Sequence, residues 1–121
     1  MNILILSGSP RKGGNTDLLV EAFVKGASQK HHVEVVSVRD YKVNPCMGCN
    51  ACFKNKDNTC AQKDDMPLVY EKMSQADMLV IASPVYLENA GRVLVRGVKD
   101  KGDIKNTDAL NEAFELGQQI K

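Results

Sequence analysis

An apolar run at residues 2–6 stops at Ser7-Gly8-Ser9-Pro10, and the chain then passes through Gly13 and Gly14 into a helical pattern. A short apolar run closed off by turn formers reads as a strand covered on both faces. Strands of that kind belong to parallel sheets. After the glycines, Asn15 or Thr16 is placed to cap a helix. Leu18, Leu19, Ala22, Phe23 and Ala27 recur in it at three-to-four spacing, to about residue 29.

The rest of the chain repeats that alternation. Residues 33–38 form a second β-rich run, and residues 39–63 a long polar loop holding every cysteine. Asp64, Asp65 and Pro67 announce a helix over residues 66–75, with Leu68, Val69, Tyr70 and Met73 expected on one face. Residues 78–82 read as a third buried strand, ending at Ser83-Pro84-Val85-Tyr86, and the Val-rich residues 92–98 as a fourth. Thr107 and Asp108 are expected to cap a last helix with Leu110, Ala113, Phe114, Leu116 and Ile120 on its stripe. Strand, helix, strand, helix, strand specifies an α/β fold with a parallel sheet and right-handed crossovers. Ligands of such sheets collect beyond the carboxyl ends of the strands.

With 121 residues the chain is expected to be one domain, residues 1–121. Its formal charge of +1 argues against a face for nucleic acid or an anionic membrane. No apolar run approaches a membrane span, and the N-terminus lacks the pattern of a signal peptide. The expected location is the cytoplasm. Clustered thiols in that reducing setting point to metal binding or redox chemistry more than to structural disulfides.

Residues 8–16 carry what a phosphate monoester needs. Ser9, Asn15 and Thr16 supply side-chain donors, Arg11 a charge-matched fork, and the helix N-terminus its amides and dipole. Neither a P-loop nor a G-x-G-x-x-G frame fits the spacing. The competing reading is a glycine-rich turn that binds nothing.

Gly8-Ser9-Pro10-Arg11 with Asn15-Thr16 after the first strand, and Ser83-Pro84-Val85-Tyr86 after the third, resemble the NADPH-dependent FMN reductase family of flavodoxin-like proteins. Gly97-Val98, Lys101-Gly102-Asp103-Ile104 and the Ala-Leu-rich helix after them resemble the family's last strand and helix. The resemblance implies a doubly wound parallel sheet with FMN at the strand ends. The phosphate is then expected on Ser9, Arg11, Asn15 and Thr16, and the flavin-side set is Ser83, Pro84, Val85, Tyr86 and Asn89. The flavin carries the chemistry, so no catalytic side chain is assigned. Homo-oligomers are expected by the same analogy.

The cysteines form a C-x2-C-x2-C-x7-C array, Cys46, Cys49, Cys52 and Cys60. Three thiolates two residues apart, eased by Gly48, suit one face of a cubane, and a later cysteine its fourth corner. The array also resembles the compact motif of iron-sulfur flavoproteins. A 4Fe–4S cluster leads; a zinc site, a redox-active thiol pair and simple free cysteines stand beside it. With a cluster, electron exchange with carriers such as ferredoxin is expected. Without one, the flavin is expected to take hydride from NAD(P)H and pass electrons to a quinone, free flavin or similar acceptor. The rivals from other classes are a cofactor-free interaction or regulatory domain and a zinc-stabilised structural protein.

The pattern breaks after Asn89, where only Ala90 and Gly91 separate the flavin-loop motif from what reads as the last strand. Family members place a helix, a strand and a further loop there. Either the chain lacks that helix–strand segment or the numbered sequence skips it; a strand reading for residues 92–98 favours the second. The remaining residues have plain readings. His31 and His32 are expected at the surface beside a helix C-terminus, Phe23, Phe53, Phe114, Tyr41 and Tyr70 as core or loop anchors, and residues 99–101 as a solvated turn.

Overall fold

A computed structural model describes residues 1–84 and 101–120. The expected strand at 92–98, the junction at 89–92, and Val85, Tyr86 and Asn89 lie outside the described residues. Three parallel strands run in the order β2-β1-β3: β1 is Asn2–Ser7, β2 His32–Ser37 and β3 Met78–Ala82. Between them come α1 (Asn15–Ala27), the four-residue α2 (Ala51–Lys54) and α3 (Met66–Gln75), and α4 (Ala109–Gln118) follows. The central place of β1 explains its apolar run, since Ile3, Leu4 and Ile5 are all buried.

Each sheet face has its own cluster. Ile3 and Ile5 pack with Val20, Phe23, Ala27 and Ala113 beneath α1 and α4. Leu4 and Val36 pack with Val69 of α3, flanked by Leu6, Tyr41, Met66 and Met73. The buried stripe of α3 therefore follows 66, 69 and 73, while Leu68 and the expected anchor Tyr70 point to solvent. Phe53 is likewise not an anchor but 82% exposed.

The expectation that the third strand is buried is corrected: no residue of β3 is fully buried. Leu79 and Ile81 align with Leu4 and Leu6 on the α3 face, yet α3 leaves them exposed. On the opposite face α1 and α4 meet at glycine. A Cβ on Gly26 would lie 2.0 Å from the Phe114 carbonyl oxygen, and one on Gly117 2.4 Å from that of Phe23. Only glycine admits that approach, and it brings the C-terminal helix onto the central core.

One expected cap is corrected: Gly14, not Asn15 or Thr16, takes the N-cap position of α1. At α4 Asp108 occupies the N-cap as expected, and the Thr107 hydroxyl, not the Asp108 side chain, accepts from the Ala109 amide at 3.3 Å. His32 is exposed as expected, whereas His31 is half-buried with its Nε2 3.0 Å from the Ile120 carbonyl oxygen. Among the described residues no helix is long and apolar enough to cross a membrane.

Candidate functional site: the turn after the first strand

Parallel pairing places the carboxyl ends of β1, β2 and β3 side by side, with Ser7 opposite both Ser37 and Ala82. The Gly8 amide donates to the Ala82 carbonyl at 2.8 Å, and the Cβ position of Gly8 is 3.7 Å from that of Ser83. The two motifs found 75 residues apart in the sequence thus begin beside each other. Ser83 is exposed and Pro84 half-buried at this edge.

Within the turn, Ser9 is buried, and its hydroxyl oxygen accepts from the Arg11 amide at 3.3 Å and lies 3.4 Å from the Arg11 carbonyl. It therefore braces the turn. Arg11 and Lys12 are exposed at its tip. Gly13 has φ +68°, a left-handed conformation that glycine adopts without penalty, and its amide donates to Asp17 at 2.7 Å. The first bond of α1 runs from the Leu18 amide to Gly14 oxygen, so the amides ahead of it have no intrahelical acceptor. Thr16 sits half-buried on that first turn.

Asn15 does more than expected. Its Oδ1 accepts from the Gly102 and Ile104 amides, each at 3.1 Å, and so fastens the segment before α4 to the turn. That segment also brings the Lys101 ammonium within 3.4 Å of the Cβ position of Gly13. Lys101 is not merely part of a solvated turn.

The residue that sequence reasoning missed is Arg39. One nitrogen of its guanidinium donates to the carbonyls of Ser9 and Arg11, both at 3.2 Å, and to Asp17 Oδ1 at 3.0 Å; the other donates to Asp17 Oδ2 at 2.7 Å. A signal existed in the register: β1 pairs with β2 at an offset of thirty, and two more residues along each chain align Ser9 with Arg39. Burial acts to raise the Asp17 pKa, but the Arg39 hydrogen bond, the Gly13 amide, and the charges of Arg39 and Lys101 outweigh it. The carboxyl is held below its ordinary value of 3.8. The same hydrogen bond raises the Arg39 pKa.

The cysteine loop stands apart. Asp65 accepts from the Lys42 amide at 2.7 Å and Asp64 from the Asn44 amide at 2.9 Å, closing the base of the loop. Gln62 Nε2 donates to the Pro45 carbonyl at 2.9 Å, which sets the chain near Cys60 beside the chain near Cys46. Gly48 and Asn50 have left-handed φ of 70° and 60°, and they curl the segment between Cys46 and α2. All four thiols are free, with Cys52 half-buried and the other three exposed. The Gly48 amide donates to Cys46 Sγ and the Gln62 amide to Cys60 Sγ, both at 3.4 Å. Amide-to-sulfur bonds and a curled segment suit thiolate ligands of a cluster in their chemistry. Among the described residues, however, no three His, Cys, Asp or Glu side chains are grouped to hold a metal ion.

A parallel sheet with a glycine-rich, amide-bearing turn at the carboxyl edge of its central strand defines a flavodoxin-like α/β protein. The model of the NADPH-dependent FMN reductase family matches residues 1–91, and the chain belongs to that family. It is 40% identical over 90 residues to an iron-sulfur flavoprotein of Archaeoglobus fulgidus, covering 74% of this chain and 43% of that one. Iron-sulfur flavoproteins of Methanocaldococcus jannaschii and Methanosarcina thermophila are 41% and 38% identical, over 71% and 74% of this chain and 44% and 46% of theirs. The chain thus spans less than half the length of these relatives. Among solved structures, RosB with bound 8-demethyl-8-formylriboflavin-5′-phosphate superposes with a TM-score of 0.55 at 26% identity, covering 72% of this chain and 36% of RosB.

Proposed function

We propose that this chain forms a single FMN-binding domain of an oxidoreductase that moves electrons between NAD(P)H or ferredoxin and a small acceptor such as a quinone or flavin. The observation that carries the reading is the junction of the two motifs, where Gly8 bonds to Ala82 and lies against Ser83. One motif offers an anion site and the other begins the loop the family resemblance gives to the flavin. The relatives named as flavoproteins and the riboflavin phosphate derivative bound to RosB support the same cofactor.

The residues present fit that group. The α1 N-terminus supplies amides and a favourable dipole for a dianionic phosphate. Arg11, Lys12 and Lys101 supply positive charge around the turn, and Thr16 a hydroxyl on the first helical turn. Ser9 and Asn15, expected to donate to phosphate, also support the turn: Ser9 from within, Asn15 by holding residues 102 and 104 through Oδ1. FMN, when bound, supplies the hydride and electron chemistry.

We assign Cys46, Cys49, Cys52 and Cys60 as the residues that would hold a 4Fe–4S cluster, on ligand number, the Gly48 and Gln62 amide bonds to sulfur, and the similarity to iron-sulfur flavoproteins. The reducing cytoplasm and a homo-oligomeric state complete the reading. Anaerobic purification with flavin, iron and sulfide quantitation tests it. FMN near one equivalent is expected, with about four irons and four sulfides per chain if the cysteines act as assigned. A colourless, metal-free protein that takes up no added FMN would leave an interaction domain, and zinc without flavin a structural one.

A further inference from the structure

We infer that Arg39, clamped to Asp17, is the positioning residue that shapes the turn at residues 9–13 for the phosphate of FMN and so makes this domain prefer FMN to riboflavin. The inference rests on the flavin reading above and adds to it a residue that does not itself meet the ligand. The guanidinium is turned inward: its two terminal nitrogens serve the Ser9 and Arg11 carbonyls and both Asp17 oxygens. Side-chain exposure of only 18% for Arg39 and 16% for Asp17 keeps water from competing strongly for these bonds.

Peptide geometry converts the clamp into an anion site. The described backbone has no cis peptide, and in a trans peptide the N–H points opposite to the carbonyl. Drawing the Arg11 carbonyl toward Arg39 therefore aims the Lys12 amide the other way, toward the exposed side of the turn. Asp17 Oδ2 holds the Gly13 amide and the guanidinium together at 2.7 Å each, which fixes the left-handed Gly13 and the entry into α1. An uncompensated cation beneath the turn would also attract phosphate through space, but here Asp17 neutralises it. The contribution is shape more than charge.

Arginine is needed for this. A planar fork reaches two carbonyls and a carboxylate at once, whereas the lysine ammonium is a point donor without that geometry. Flavin-fluorescence titration of the full chain with FMN and with riboflavin, for wild type, Arg39→Met and Arg39→Lys, tests the idea. Arg39→Met is expected to weaken FMN binding by about tenfold or more and to leave riboflavin binding near wild type; Arg39→Lys should recover little of the loss. Unchanged FMN affinity in Arg39→Met, equal losses for FMN and riboflavin, or full rescue by Arg39→Lys would each overturn the inference. If Arg39→Met does not fold, Arg39→Gln, which keeps a polar side chain but not the planar fork, is titrated in its place with the same expectations. A wild-type protein that binds no FMN would instead sink the proposed function. The clamp is then read by amide hydrogen exchange: faster exchange at Gly13 in Arg39→Lys supports it, and unchanged protection contradicts it.

Discussion

The turn at residues 8–16 and the cysteine loop at residues 42–65 are held in opposite ways. The turn is short and fastened from four elements: Ala82 at the end of β3, Arg39 beyond β2, Asp17 of α1, and the Gly102–Ile104 segment through Asn15. The cysteine loop is pinned at its base by Asp64, Asp65 and Gln62, and above the base its ties are local, as in the Asn55–Thr59 pair. Met47 and Phe53 stand exposed beside the thiols. A turn set by long-range contacts takes its shape from the fold. The bonds at the tip of the cysteine loop join residues of the loop itself, so they hold its local shape and not its place against the sheet.

The largest effect on this contrast should come from the helix crossing that supports the turn. Gly117→Leu puts a side chain where a Cβ alone would be 2.4 Å from the Phe23 carbonyl, so a loss of roughly 3 kcal/mol or more is expected in urea unfolding. Hydrogen exchange should then rise at residues 13–17 more than at residues 46–60. Asn15→Ala removes one acceptor from two amides and should cost about 1–3 kcal/mol by the same unfolding measurement. Equal loosening of both loops in these variants would break the distinction.

Smaller effects are expected at the cysteine loop. Asp64→Ala removes the acceptor for the Asn44 and Met66 amides and should lower the urea midpoint less than Asn15→Ala does. It should change FMN affinity little. Acid provides the mildest probe of the turn. The Asp17 pKa is depressed in the folded protein, so its stabilising share is complete above 3.8 and is lost as pH falls below that value through the folded pKa. FMN affinity measured down a pH series should therefore hold the Asp17 contribution to about pH 4, and Asp17→Asn should abolish the acid-dependent part of the loss. A decline centred near neutrality that vanishes in Asp17→Asn would contradict the clamp.

The sequence made part of this legible. The expected helix at 66–75 and strand at 78–82 coincide with α3 and β3, because Pro67 fixes one boundary and turn residues bracket a β-branched run. The motif after β1 and its counterpart at Ser83 were readable because each is contiguous. The roles of individual side chains were not. Asn15 reads as a cap or phosphate donor until Gly102 and Ile104 lie beside it, and Arg39 reads as the start of a loop until parallel pairing brings it level with Ser9. Burial of β3 failed similarly, since its apolar composition does not reveal that α3 covers Leu4 and Leu6 but not Leu79 and Ile81.

Phosphorus NMR of the FMN-loaded protein across pH 5.5 to 8 measures the charged tail of the cofactor in place. A phosphate held as a dianion at the α1 N-terminus should give a resonance that does not move with pH, although free phosphate monoesters titrate near about pH 6. A bound-FMN resonance that titrates like the free compound would place the phosphate in solvent and contradict the assignment of residues 8–16 as its site.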